Sequence, residues 1–151
     1  MDKRFKVRIF IRTSFTGPAI KDGQYAAIIE YEGKTEVVTR EVSGSEDETT
    51  YNRLVMLAML KALQILTKRC SVVIYTDCSF IRDMVGQNRP DAWKRQEWKK
   101  PSGKDVKNKE LWQQYLEESG KHGIEIRYSK LHGFQDYSDR LDELIGGNQN
   151  V

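Results

Sequence analysis

The run Asn52 to Lys68 contains neither glycine nor proline, and its apolar residues cover almost its whole circumference. Leu54, Val55, Met56, Leu57, Met59, Leu60, Leu63, Ile65 and Leu66 leave no continuous polar stripe. A helix built from them has to be buried between a sheet and further elements. Thr49 or Thr50 stands where a capping hydroxyl is wanted, and Lys68 and Arg69 sit at the negative end of the helix dipole. The rest of the chain must therefore supply strands to lie against this helix.

It does so first upstream. Phe5 to Arg12 alternates, with Phe5, Val7, Ile9 and Ile11 on one face and Lys6, Arg8, Phe10 and Arg12 on the other, which predicts a strand. Gln24 to Tyr31 and Thr35 to Val42 predict two more, joined at Glu32-Gly33-Lys34, and the polar stretch Ser43 to Thr50 is expected as a loop. Downstream, Ser71 to Thr76 is short, apolar and rich in β-branched residues, as a buried strand parallel to the first should be. Asp77 closes it, at the end of the sheet where ligands gather in open α/β folds. Phe80 to Gln87 and Lys109 to Lys121 are expected as helices, Ile124 to Tyr128 as a last strand, and Tyr137 to Ile145 as a helix stopped by Gly146-Gly147. The order is β-β-β-α-β-α-α-β-α, an α/β chain with a mixed five-stranded sheet flanked by helices. Its 151 residues suit a single domain over 1–147, with 148–151 as a disordered tail.

Charge is unevenly placed. From Arg89 to Lys109 eight basic residues face three acidic ones, a net of +5, while the remainder nets −2 within a total of +3. Trp93 and Trp98 lie inside that segment, interleaved with Lys94, Arg95, Lys99 and Lys100. Aromatic bodies among cations suit a surface that meets a polyanion, although a solvated helix surface with inward tryptophans has the same pattern. The longest nearly uncharged run, Leu54 to Leu60, is far below the roughly 20 residues of a membrane span. Met1-Asp2-Lys3-Arg4 leads into a strand rather than the apolar core of a secretory leader. Cys70 and Cys78 lie near opposite ends of one predicted strand, about 26 Å apart at ~3.3 Å per residue, so a disulfide between them is excluded. Free thiols fit a reducing, cytoplasmic setting.

The element order and several local strings resemble ribonuclease H of the bacterial type over almost the full length. The strings are Thr49-Thr50-Tyr51-Asn52-Arg53-Leu54, Tyr75-Thr76-Asp77-Cys78-Ser79-Phe80-Ile81, Val106-Lys107-Asn108-Lys109-Glu110-Leu111-Trp112, Lys130-Leu131-His132-Gly133 and Asp142-Glu143-Leu144. The resemblance implies a two-metal endoribonuclease acting on RNA/DNA hybrids, with four carboxylates holding two Mg²⁺ ions. Carried over residue by residue, those four positions are Arg12, Val55, Asp77 and Asp142, so two of the four are not acids. No Asp or Glu lies between Lys3 and Lys21, so no shift of the first strand restores the missing one. An arginine beside two carboxylates should pair with them where a metal would have stood. Glu46, Asp47 and Glu48, or Asp136 and Asp139, are the acids a reduced site could recruit, ordinary surface charge being their other reading.

The resemblance also assigns His132 to a mobile loop that assists product release or proton transfer, whereas a lone loop histidine is otherwise an exposed bystander. It places Thr50 and Asn52 at contacts to phosphate and to the hybrid's minor groove, and both residues are equally suited to capping a helix start. Tyr51 stands in place of a second Asn. The basic Trp93 to Lys100 segment falls where the family carries a substrate-binding protrusion.

The expectation is a monomeric pseudoenzyme that binds RNA/DNA hybrid or duplex nucleic acid, with nuclease activity lost or very weak, no tightly bound cofactor and no membrane partner. Asp77 and Asp142 would offer a metal only weak purchase. The alternatives are an active ribonuclease H using Mg²⁺ or Mn²⁺, and a protein-interaction module on the same fold.

Overall fold

A computed structural model describes residues 5–146; the expected tail and Gly147 lie outside the described residues. Alternation along the first strand does what the sequence predicts. In β1 (Phe5–Thr13), Val7, Ile9 and Ile11 face one apolar cluster, while Phe10 faces another on the opposite side of the sheet. β2 (Lys21–Glu32) and β3 (Val37–Thr49) continue the meander antiparallel. α1 (Tyr51–Gln64) follows, capped by the Thr50 hydroxyl, which accepts from the Arg53 amide at 3.3 Å. β4 (Cys70–Thr76) lies parallel to β1. Then come α2 (Ser79–Gly86), α3 (Arg89–Arg95) and α4 (Lys109–Ser119), β5 (Gly123–Tyr128) parallel to β4, and α5 (Gln135–Gly146). The sheet order is β3-β2-β1-β4-β5. Among the described residues no helix is long and apolar enough to cross a membrane.

Three boundaries differ from expectation. β3 runs through the stretch expected as a loop, because it is an edge strand whose outer side is solvated and tolerates Ser43 to Glu48, paired with Gly23 to Ala26 of β2. Gly44 is required there, since a side-chain carbon would strike the Tyr25 hydroxyl across the ladder. α1 ends at Gln64 rather than Lys68: the Leu66 amide bonds to the Leu63 carbonyl at 3.1 Å, a tightened last turn that frees the chain to enter β4 at Cys70. The basic segment contains an additional helix, α3, with Pro90 in its first turn, so three helices separate β4 from β5.

α1 is buried as its circumference demands. Leu54, Met56, Ala58, Met59 and Leu63 have no exposed surface. α5 covers the other face through Leu141, packed with Phe10, Ala26 and Ile28. Phe10 stacks on Tyr75 at 5.0 Å and meets Tyr137 at 4.8 Å. Glu30, buried beneath this layer, accepts from Arg8 at 2.6 Å and from the Tyr137 hydroxyl at 2.5 Å. α5 is thus fixed against β1 and β2, which sets the distance between Asp142 and the end of β1.

Candidate functional site

Arg12 shares the α5 face with Arg8 and Phe10 by strand alternation, and so arrives beneath α5. Its Nη1 donates to Asp142 Oδ1 at 3.2 Å and its Nη2 to the Ser138 hydroxyl at 2.6 Å. Ser138 and Asp142 are four residues apart on one helix and therefore share a face, so both reach the same guanidinium. Sequence reasoning missed Ser138, although this spacing was the signal that could have found it.

Asp77 follows β4 and accepts a short hydrogen bond from the Tyr51 hydroxyl at the start of α1. Burial, first, and this bond to a carboxylate push the Tyr51 hydroxyl above its ordinary pKa, which favours its role as donor. Arg12 thus pairs with one retained acid and Tyr51 with the other. Beside them, the Cys78 thiol donates to Asn52 Oδ1 at 3.3 Å. Both cysteines are buried and free, Cys70 at the start of β4 and Cys78 at the cap of α2.

Arg12, Asp77 and His132 line one open cavity of about 330 Å³, together with Ile11, Thr16, Ser129, Lys130 and Leu131. His132 is exposed, in the loop between β5 and α5. Val55 is not part of this lining: it is 1% exposed and belongs to the core on the α1 side. Glu46 is no recruit either, because Thr49 Oγ1 and Arg53 Nε donate to it at 2.6 and 2.7 Å. Burial alone would raise its carboxyl, but those two donors outweigh it and hold the group below the ordinary range. Asp47 and Glu48, placed in an expected loop, sit on the edge strand β3, and Asp139 takes a 2.7 Å bond from Gln135. Among the described residues no three His, Cys, Asp or Glu side chains come together to hold a metal ion. The donors present are one carboxylate committed to a guanidinium and one to a phenol, a set that does not fit a pair of divalent ions.

The basic segment projects from the far end of α2. Lys94, Arg95, Lys99 and Lys100 are exposed. Trp98, expected among the nucleic-acid contacts, is instead 8% exposed and packed in the core. Its backbone turns through the left-handed region at φ 63°, and its carbonyl accepts from Val106 at 2.9 Å, which folds the segment back over the indole. Trp93 is half-buried against Trp112, edge to face at 5.4 Å. The tryptophans hold the cations in place from below. Thr50 caps α1, and Asn52 is engaged by Cys78.

A family model described as RNase H matches residues 7–147. The ribonuclease H of Francisella philomiragia subsp. philomiragia is 36% identical over 122 residues, 81% of this chain and 77% of that one. The ribonuclease H of Francisella tularensis subsp. novicida is 35% identical over the same shares. Among solved structures, LC9-RNase H1, described as a type 1 RNase H with the type 2 active-site motif, superposes with a TM-score of 0.77 at 24% identity, covering 97% of this chain and 73% of that one. LC11-RNase H1, solved in complex with RNA/DNA hybrid, superposes with a TM-score of 0.64 at 15% identity, covering 93% and 94%.

Proposed function

The chain belongs to the ribonuclease H family, and from that premise we propose that it docks on RNA/DNA hybrid or duplex nucleic acid while hydrolysing it very weakly or not at all. The observation that carries the reading is the pairing of Arg12 with Asp142 where a metal-binding acid is expected. Two divalent ions lower the pKa of the attacking water and neutralise the charge that builds on the scissile phosphate. Arg12, Asp77 and Asp142 together carry −1, too little to hold such a pair, and Val55 contributes no donor at all. On this reading His132, Asp77 and Asp142 stand at positions matching the family motif without a metal pair to serve.

Docking draws on other residues. Lys94, Arg95 and Lys100 present their charge to solvent on a segment braced by Trp93 and Trp98, Lys99 is exposed but paired with Asp105 at 2.6 Å, and phosphate neutralisation needs nothing from the metal site. A fold relative at 15% identity was solved with RNA/DNA hybrid bound. We place the protein in the cytoplasm as a single-domain monomer. The active reading is favoured by the family name of its relatives, and it requires a recruited acid; the half-buried Glu46, shortly before α1, is already bound by Thr49 and Arg53.

The test is hybrid cleavage in Mg²⁺ and in Mn²⁺ beside a binding titration on the same preparation. The expected result is salt-sensitive binding without turnover. Robust Mg²⁺-dependent cleavage that disappears in Asp77→Asn would overturn the proposal. Binding indifferent to salt would favour a protein-interaction module instead.

A further inference from the structure

We propose that the cavity at the ends of β1 and β4 is a metal-free phosphate site, in which Arg12 and Lys130 hold a backbone phosphate of the nucleic acid directly. This rests on the reading of the chain as a nucleic-acid binder and names the subsite that reading leaves undefined.

The cavity is about 330 Å³, open to solvent and lined by two cationic residues, Arg12 and Lys130, beside Thr16 and His132. A guanidinium offers five N–H donors. Arg12 commits one to Asp142 and one to Ser138, so the rest remain for a ligand, and its side chain keeps 27% exposure. The Ser138 bond fixes the guanidinium in place, as a phosphate receptor requires. Asp142 is a weak holder: it reaches Arg12 through one oxygen at 3.2 Å and is 57% exposed, so a phosphate oxygen can displace it into water. Asp77 is the lining residue that opposes an anion, and the Tyr51 hydroxyl already occupies one of its oxygens. Among the described residues Lys130 forms no ion pair, which leaves its ammonium free for the ligand.

The consequence inverts what a metal site would do. Where carboxylates hold ions that hold phosphate, removing a carboxylate weakens the complex. Here Asp142→Asn releases Arg12 and removes a competing negative charge, so binding should tighten.

The experiment is fluorescence anisotropy of an RNA/DNA hybrid in EDTA across a salt series. Asp142→Asn should bind severalfold more tightly than the unmodified protein. Arg12→Leu with Lys130→Gln should bind more weakly and lower the salt slope by about one, the loss of one neutralised phosphate. If Asp142→Asn binds more weakly, or the Arg12/Lys130 variant is unchanged while the Lys94/Arg95/Lys99/Lys100 variant loses affinity, the phosphate site is wrong and docking through the basic segment stands. If the unmodified protein shows no salt-sensitive binding, the docking reading falls. Millimolar inorganic phosphate, followed through the Arg12 Nε–H resonance, then decides the cavity alone: a saturable shift, enhanced in Asp142→Asn, supports it, and no shift overturns it.

Discussion

Replacing Arg12 with alanine removes two contacts whose geometry fixes the expected cost. The Ser138 bond is short, at 2.6 Å, part-buried and charge-assisted, and contributes about 1–1.5 kcal/mol. The Asp142 pair joins a guanidinium at 27% exposure to a carboxylate at 57%, at 3.2 Å through one oxygen, which places it among surface ion pairs of about 0.2–1 kcal/mol. Asp77 adds nothing to the loss, because its partner is Tyr51 rather than Arg12. The sum is about 1.2–2.5 kcal/mol, or a fall in Tm of about 2–10 °C for a domain of this size. Urea unfolding of Arg12→Ala, Ser138→Ala, Asp142→Asn and the two doubles closes two cycles. The Arg12–Ser138 coupling should exceed the Arg12–Asp142 coupling. A Tm for Arg12→Ala within 1 °C of the parent, or a larger coupling to Asp142 than to Ser138, would refute this account of what holds the guanidinium.

Three further outcomes follow from the same contacts. Arg12→Asp with Val55→Glu should unfold at lower temperature than the parent in EDTA and gain Tm on adding Mg²⁺, while the parent and either single variant gain little, since ligands to shared ions act as a unit; differential scanning fluorimetry reads this directly. Trp98→Ala should cost about 3–5 kcal/mol and weaken hybrid binding by disordering the segment above it, whereas replacing Lys94, Arg95, Lys99 and Lys100 with glutamine should flatten the salt slope and leave Tm about unchanged. Acid should destabilise the domain in two stages. Burial holds the His122 imidazole, whose Nδ1 accepts from the Cys70 amide at 3.0 Å, below its ordinary pKa, so the unfolded chain takes a proton the folded one refuses and stability falls as pH drops below about 6.5, a stage that His122→Gln should remove. The second stage begins below about 4.5, where protonation ends the bonds from Arg140 to Glu41 and from Arg53 to Glu110 that hold both carboxyls low.

The elements with one strong local cause were legible in the sequence. The all-round apolar run could only be a buried helix, the alternation of Phe5 to Arg12 could only be a half-and-half strand, and both elements are present, the helix ending earlier than its pattern. What failed depended on neighbours. The polar residues Ser43 to Glu48 carry no strand signal of their own; they are strand because β2 extends back to Lys21 and offers them a ladder, and because an edge strand need not be apolar on its outer side. The end of α1 was set by where β4 begins, a tertiary demand that the unbroken helical pattern through Lys68 does not display. For Trp98 the sequence allowed both a polyanion contact and an inward-packed indole, and the fold-back of its backbone to Val106 selects the second.

The site was legible as a set of positions and not as a set of partners. Strand alternation places Arg12 on the α5 side, and the string around Asp77 places that acid at the sheet's end, but which donor would meet which carboxylate depended on distances between elements far apart in the chain. Once those distances are known, the three departures from the family pattern form one arrangement. A glutamate in place of Val55, at a position 1% exposed, would be a buried carboxylate without a counter-ion, which a protein tolerates only when a metal or cation balances it. Valine removes that need. Arginine at position 12 supplies a cation to Asp142, and tyrosine at position 51 supplies a neutral donor to Asp77. Arg12 and Tyr51 thus each give one carboxylate a partner within the chain. On the proposed reading, a single acid placed at position 12 or 55 adds an unbalanced charge before it builds a ligand set.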